Sequence, residues 1–331
     1  MEDNHPLLID KYNRHLNYLR ISITDRCNLR CIYCTPAGGL TKLSHDDILS
    51  YEEIHRLAVI AVGLGINKVR LTGGEPLVRK GVYEFISQLS AIPGLSELSL
   101  TTNGIYLRDN LEKIQSAGIK RINVSLDTLD REKYIRITGF DGFDLVWEGI
   151  ELARQMGFNP IKINMVPLKG LNDDEILDFA RLTFKYPYHI RFIEHMPLGT
   201  VKFDIRTNFL PNTLIKARLS ELGRLIPISK ARLDGPAERF KYDGAQGEIG
   251  FISPLTEHFC HICNRLRLTS EGHLRVCLLS DHEEDLKGPM RNGASDEELR
   301  KIFLNAVSNK PRGHNLDMEK LVVGQMSSIG G

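Results

Sequence analysis

Between about residue 16 and residue 195 the chain alternates short runs of β-branched and apolar residues with longer stretches whose apolar positions recur at helical spacing. The short runs predict strands over 19–24, 68–71, 97–100, 121–125, 161–166 and 189–194. The longer stretches predict helices over 51–64, 78–92, 107–117, 143–156 and 173–185. Gly63 and Gly65, Gly118 and Gly157 close several of them, where a helix C-cap is expected. Strands joined in series by helices need right-handed parallel crossovers, which leaves a doubly wound sheet or a barrel. After about residue 200 the rhythm fades. Residues 201–250 mix Pro, Gly and charge and read as an irregular linker into a smaller region, and the terminal Gly330-Gly331 reads as a mobile tail.

Both architectures carry their chemistry just beyond the C-terminal ends of strands, and unusual residues gather at those places. A cysteine loop follows the first predicted strand, Thr72-Gly73-Gly74-Glu75-Pro76 the second, Thr101-Thr102-Asn103-Gly104 the third and Ser125-Leu126-Asp127 the fourth. Lys162 and Asn164 lie on the fifth, and the sixth ends Arg191-Phe192-Ile193-Glu194-His195-Met196. That convergence predicts an active site on one rim.

The 331 residues, 42% hydrophobic and 26% charged, suit one large α/β domain with an appendage, or two domains. A net charge of +1 gives no overall field toward nucleic acid or anionic membrane. The longest nearly apolar stretch, residues 57–66, is about half a membrane span. The polar start, Met1-Glu2-Asp3-Asn4-His5, lacks the pattern of a secretory signal, so the expected location is the cytoplasm.

The six cysteines fall into two tight groups, Cys27/Cys31/Cys34 and Cys260/Cys263/Cys277. Clustered cysteines in a cytosolic protein read as metal ligands before they read as disulfides. A structural zinc site is closed by four ligands, whereas three cysteines on a [4Fe–4S] cluster leave one iron open for a small molecule. The competing reading is zinc, completed by a distant histidine such as His45 for the first group and by His258, His261 or His273 for the second. Asn264-Arg265-Leu266-Arg267 follows the second pair of cysteines. In an extended segment Arg265 and Arg267 project to one side and can fork onto phosphate oxygens. Arg20, Arg70 and Lys162 could bring further positive charge to the same cavity, which would suit a nucleoside triphosphate. A phosphate-cradling glycine loop of the Rossmann or Walker type is absent.

The first cysteine spacing, with Tyr33 just before Cys34 and Gly73-Gly74-Glu75-Pro76 one βα unit later, resembles the radical SAM superfamily, whose members cleave S-adenosylmethionine (SAM). Residues 19–34, 70–77, 121–127 and 191–196, the second cysteine group and the terminal Gly-Gly resemble more closely the GTP 3′,8-cyclases, the family that begins molybdenum cofactor biosynthesis. This resemblance runs across nearly the whole chain, although residues 200–250 match weakly and Thr35-Pro36 stands where the family more usually has methionine before proline. It implies an incomplete (β/α)6 TIM-like barrel over residues 15–227, with a C-terminal α+β region over 228–331 covering the barrel mouth. It further implies two [4Fe–4S] clusters, SAM chelated at the open iron of the first, and conversion of GTP to (8S)-3′,8-cyclo-7,8-dihydroguanosine 5′-triphosphate. Tyr33, Gly74, Ser125 and Met196 match positions that hold SAM, the glycines letting backbone approach its ammonium and Glu75 adding negative charge nearby. Arg20, Arg70, Thr101, Lys162, Arg265, Leu266 and Arg267 match positions that hold GTP, with Arg20, Arg265 and Arg267 assigned to catalysis. The second cluster would hold the purine near N1, and Gly330-Gly331 would enter the pocket. The implied partners are an electron-donor protein and the cyclic pyranopterin monophosphate synthase of the next step; neither nucleic acid nor membrane is expected, and a homodimer is allowed. Two other classes compete: a peptide-modifying radical SAM enzyme with auxiliary clusters, and a zinc-binding interaction protein.

Overall fold

Two-residue alternation decides how the strands are used. Leu19 and Ile21 of β1 (Tyr18–Ser22), Val69 and Leu71 of β2 (Lys68–Thr72), and Leu98 and Leu100 of β3 (Glu97–Thr102) are buried in the hydrophobic core. So are Ile122 and Val124 of β4 (Ile122–Ser125), Ile163 of β5 (Ile161–Met165), and Ile190 and Phe192 of β6 (His189–Ile193). That face packs on the crossover helices, and truncating one such side chain to alanine costs about 2–5 kcal/mol. The opposite face is polar. Arg20 stands in register with Arg70 and Arg70 with Ser99, while Asn123 stands in register with Lys162 and Lys162 with His189. A sheet covered on both faces ordinarily reads as continuous apolar runs. Here one face is given over to charge.

The computed structural model describes residues 8–36, 39, 43–198, 205–229, 235–314, 322 and 326–330. Strands β1 to β6 are parallel neighbours in sequence order, as the βα rhythm predicts. After β7 (Ile226–Pro227), the C-terminal region supplies β8 (Glu238–Lys241), β9 (Glu248–Ile252), β10 (Arg265–Leu268), β11 (His273–Arg275) and β12 (Glu283–Asp285). β9 joins β6 in parallel and β10 joins β1 in parallel, so the sheet order is β12-β11-β10-β1-β2-β3-β4-β5-β6-β9-β8-β7. The region expected to cover a mouth therefore also lengthens both flanks of the sheet. Unpaired edge groups of β1 and β6 explain why: each would otherwise present a free row of N–H and C=O.

Other differences have local causes. The predicted helix over 78–92 begins only at Val82, after Gly81 in the left-handed conformation (φ +78°). A helix that the sequence reading missed, Arg131–Thr138, is capped by the Asp130 side chain, which accepts from Lys133 N, and is stopped by left-handed Gly139. Within 201–250, read as an irregular linker, the described residues form the helix Asn212–Leu219 and β7 to β9. The helices Tyr51–Gly63 and Asp296–Ser308 both start with reciprocal capping boxes, Ser50 with Glu53 and Ser295 with Glu298. Among the described residues no helix is long and apolar enough to cross a membrane.

Candidate active site

Two cavities of about 130 and 210 Å³ open at the polar face and share Ile193 and Met196 as lining residues. The larger is lined by Cys27, Cys31 and Cys34, by Tyr33, by Gly73 and Gly74, and by Thr101, Ser125 and Asn164. Burial raises the pKa of each of these thiols, and with Cys27 and Asp127 adding to it Cys34 is pushed up to about 12. Tyr33 is held from behind: its hydroxyl donates to Asp127 Oδ2 at 2.5 Å, while Asp127 Oδ1 accepts from Val166 N at 2.8 Å. Burial lifts the Asp127 carboxyl to about 6 in spite of both donors. His195 meets the Tyr33 ring edge-on, with centroids 5.9 Å apart.

The glycine turn, besides lining this cavity, packs against the cysteine loop. A Cβ on Gly74 would lie 2.3 Å from Arg26 O, and Gly74 N and Glu75 N donate to Thr24 O and Arg26 O, each at 2.8 Å. The close approach that glycine permits here is to the backbone leading into the cysteine loop. Glu75 is wholly buried and does not line the cavity; its oxygens accept from Leu77 N, Thr102 Oγ1 and Asn103 N at 3.0, 2.8 and 2.6 Å. It buckles the second strand's loop to the third's, and burial raises its pKa to about 7. Glu194 repeats the device at the end of β6, accepting from Asn212 N, Leu255 N and Thr256 N.

The second cavity is lined by Cys260, Cys263 and Cys277 together with Arg20, Arg70, Arg191, Arg265 and Arg267, and among the described residues no carboxylate lines it. Tyr18 forms part of its wall, buried, its hydroxyl without a hydrogen-bond partner and its ring under Lys68 and Arg70 at 5.0 and 5.5 Å. Burial would raise this phenol's pKa, but Arg70, Arg20 and Lys68 together pull it below the usual value. Burial likewise opposes ionisation of Cys263, yet Arg265 and then Lys310 bring it down to about 6. Lys310 is buried, and its ammonium donates to Arg265 O at 3.0 Å and to Val276 O. From the N-terminal side Arg14, paired with Asp10 at 2.6 Å, donates to Cys260 O at 2.7 Å and Pro311 O at 2.6 Å.

Most residues singled out in the sequence therefore meet, in two groups. Tyr33, Gly74, Ser125 and Met196 line the first cavity; Arg20, Arg70, Arg265 and Arg267 line the second. Thr101 lines the first cavity, apart from the arginines. Lys162 lines neither; buried on β5, it feels Arg191 and Arg70, and burial followed by these charges lowers its pKa to about 6. Leu266 points into the hydrophobic core, between the two arginines that face the cavity. Gly330 sits where a Cβ would be 2.4 Å from Thr72 Oγ1, and its carbonyl accepts from Arg267, while Gly331 lies outside the described residues. Sequence reading did not find Tyr18, Asp10, Arg14, Lys310 or the cavity role of Arg191. Alternation on β1 and β6 offered the only signal, and only for Tyr18 and Arg191.

Both cavities fit the groups expected of them. A single zinc with bonds near 2.3 Å would set its sulfurs roughly 3.8 Å apart. Neither cysteine trio brings its three sulfurs within 4.8 Å of one another, which suits a larger inorganic core. Thr101 Oγ1 and Asn164 Oδ1, buried on the first cavity's wall, lack protein partners, as a polar ligand there requires.

Residues 21–183 match the Radical SAM superfamily, and residues 188–316 match Molybdenum Cofactor Synthesis C. The chain is 51% identical to the GTP 3′,8-cyclase of Moorella thermoacetica, over 97% of this chain and 99% of that protein. It is 49% identical to the GTP 3′,8-cyclase of Thermodesulfovibrio yellowstonii, again over 97% and 99%. Among solved structures, Streptococcus suis SuiB aligns with a TM-score of 0.61 at 14% identity, covering 91% of this chain and 68% of SuiB. SuiB bound to its precursor peptide SuiA gives 0.61 at 15%, covering 91% and 67%. At such identity the likeness concerns the fold alone.

Proposed function

The chain belongs to the GTP 3′,8-cyclase family of radical SAM enzymes, and from that premise we propose how its residues divide the work. The reaction converts GTP to (8S)-3′,8-cyclo-7,8-dihydroguanosine 5′-triphosphate, the first step of molybdenum cofactor biosynthesis. When bound, the two clusters and SAM supply one-electron chemistry that removes the ribose 3′ hydrogen, so that C3′ can bond to C8 of guanine.

Cys27, Cys31 and Cys34 would hold the first cluster, and Tyr33, Gly74, Ser125 and Met196 the SAM beside it. Asp127 fixes the angle of the Tyr33 ring. Cys260, Cys263 and Cys277 would hold the second cluster and orient the purine. Arg20, Arg70, Arg265 and Arg267 would take the triphosphate, with Arg191 added to the set and Lys162 acting through its field from below. Guanidinium forks match phosphate oxygens, and a cavity without carboxylates leaves those charges for the substrate. Ile193 and Met196, common to both cavities, would stand between the two reacting molecules and help exclude water.

The sheet supports this division. Residues of β1, β2, β6, β9 and β10 line a single cavity, which a sheet curled into an incomplete (β/α)6 barrel would achieve. Residues 15–227 would be that core and 228–331 the region that carries the second cluster. A one-electron donor protein, the cyclic pyranopterin monophosphate synthase of the next step, a homodimeric assembly and a cytoplasmic location complete the proposal.

The observation that carries it is the shared Ile193–Met196 wall between one cavity with three thiols and another with three thiols and five guanidiniums. Anaerobic incubation with SAM, GTP and a reductant, followed by mass spectrometry, tests it. The expected result is 5′-deoxyadenosine together with a product of GTP's mass and altered retention. Deoxyadenosine accompanied only by intact GTP would refute the reading.

A further inference from the structure

At the second cavity two histidines have no part in the assignments above, yet they stand beside a cysteine that does. His258, Cys260 and His314 each place a ligand atom within 4.8 Å of the other two. His258 Nδ1 and His314 Nε2 are 2.8 Å apart, and the same His314 nitrogen is 2.8 Å from Pro254 O. The geometry points to a mononuclear site for a divalent metal of zinc's class at His258, Cys260 and His314, one that withdraws Cys260 from the second cluster. Zinc at this site and a four-iron cluster on the second trio exclude each other. The exclusion rests on the proposed role of Cys260 in holding that cluster.

Distance favours one ion at these donors. Bonds of about 2.0–2.1 Å to nitrogen and 2.3 Å to sulfur place tetrahedral ligands roughly 3.3–3.6 Å apart, within reach of small side-chain turns. Cys263 and Cys277 are not members of the group, so the two kinds of site compete through Cys260 alone. Three protein ligands leave a fourth position for water, the number zinc takes when it keeps a place open. Binding exchanges a proton for the ion: the Cys260 thiol gives up one, while each imidazole turns to the ion the nitrogen that carries no hydrogen, His314 releasing Pro254 O.

The site is built by the fold. His258 comes from the loop before Cys260 and His314 from a segment more than fifty residues later, which a clamp brings back. Arg14 donates through Nη1 to Cys260 O and Arg312 O and through Nη2 to Pro311 O, with Asp10 holding the guanidinium. Gly313 then lies on the cysteine, where even a Cβ would be 3.8 Å from Cys260 Sγ. His258 is exposed, which gives an ion an approach. The other histidine that sequence offered with a partner, His273, is directed to Glu283 at 3.6 Å.

The test uses the full-length chain freed of iron under anaerobic conditions, with cobalt(II) as a spectroscopic substitute for zinc. One equivalent should bind with a thiolate-to-cobalt charge-transfer band and be displaced by one equivalent of zinc. His258→Ala and His314→Ala should each weaken that affinity at least about 10-fold, and Cys27→Ala should leave it unchanged. Chain preloaded with zinc and then supplied with iron and sulfide should take up about four irons instead of about eight. The double variant His258→Ala/His314→Ala should take up about eight with or without zinc. Wild-type cobalt affinity in the double variant would overturn the site, since the metal would then rest on the cysteine trio. Full iron uptake by zinc-loaded wild type would overturn the exclusion. Failure of the two-cluster reading would look different: zinc-free wild type would stop at about four irons, and the cobalt titration would still decide the site.

Discussion

Around Cys31 and Cys34 the charges that bear on the thiols are neighbouring thiols and the Asp127 carboxyl, whereas Cys263 of the second trio faces Arg265 and Lys310. The consequence is a thiol pushed up to about 12 in one cavity and one drawn down to about 6 in the other. Cys34 and Cys263 thus sit in opposite fields. The first field tolerates a molecule of little net charge carrying a sulfonium, which is SAM. The second, with five guanidiniums and no carboxylate among the lining residues, wants a polyanion.

The strongest way to break the comparison is to remove one trio and ask whether the other survives. Cys27→Ala should abolish SAM cleavage entirely while iron content falls from about eight to about four. Cys263→Ala should lose the same amount of iron yet still release deoxyadenosine without converting GTP. Deoxyadenosine from the Cys27 variant would show that the cavities have been assigned to the wrong molecules.

The next largest effect belongs to the second cavity's charge. Arg265→Ala with Arg267→Ala removes two guanidiniums, and charged hydrogen bonds contribute about 1.5–3 kcal/mol each. GTP conversion should fall at least about 100-fold, with uncoupled deoxyadenosine formation retained. Equal loss of both products would mean that the arginines serve the fold and not the nucleotide.

How much of this was legible in the chain follows from how far each interaction reaches. The cysteine spacings, Tyr33 and the glycine turn are local patterns, and alternation along β1 to β6 marked both faces of the sheet. Glu75 shows where local pattern misleads: the motif reveals a carboxylate near the site, but its partners, Thr102 and Asn103, belong to the end of the next strand and the loop after it. Arg14 reaches Pro311 across 297 positions, and Lys310 reaches Arg265 across 45. No periodicity marks such residues, because only the folded sheet, with β10 laid beside β1, brings them to the cysteines.

A smaller effect sharpens the first cavity. If Asp127 acts by pinning Tyr33, Asp127→Asn should raise the KM for SAM about 10-fold, the value of one charged hydrogen bond reduced to a neutral one. The kcat should change little. Tyr33→Phe should match it, and the double variant should cost no more than either single change, since both remove one contact. Additive losses would show that the carboxylate acts elsewhere.

The smallest effect is a fraction of a proton, and it tests whether the second cavity's field extends below its wall. Lys162 lies outside both cavities' linings, yet burial and then Arg191 and Arg70 depress its pKa to about 6. An ordinary lysine titrates near 10.4, so between those values the free enzyme keeps Lys162 neutral while the unfolded chain has it charged. Stability contributed by this group therefore rises with pH through that window. A triphosphate settling among the arginines offsets Arg191 and Arg70 but leaves burial, the larger cause, in place, so the pKa of Lys162 should rise part of the way back. GTP binding at pH 8 should then take up a fraction of a proton, measured by calorimetry in buffers of different ionisation enthalpy. Uptake should vanish below about pH 6, where Lys162 is already protonated, and vanish at pH 8 in Lys162→Met. Unchanged uptake in that variant would place the titrating group elsewhere and confine the cationic field to the residues that touch the cavity.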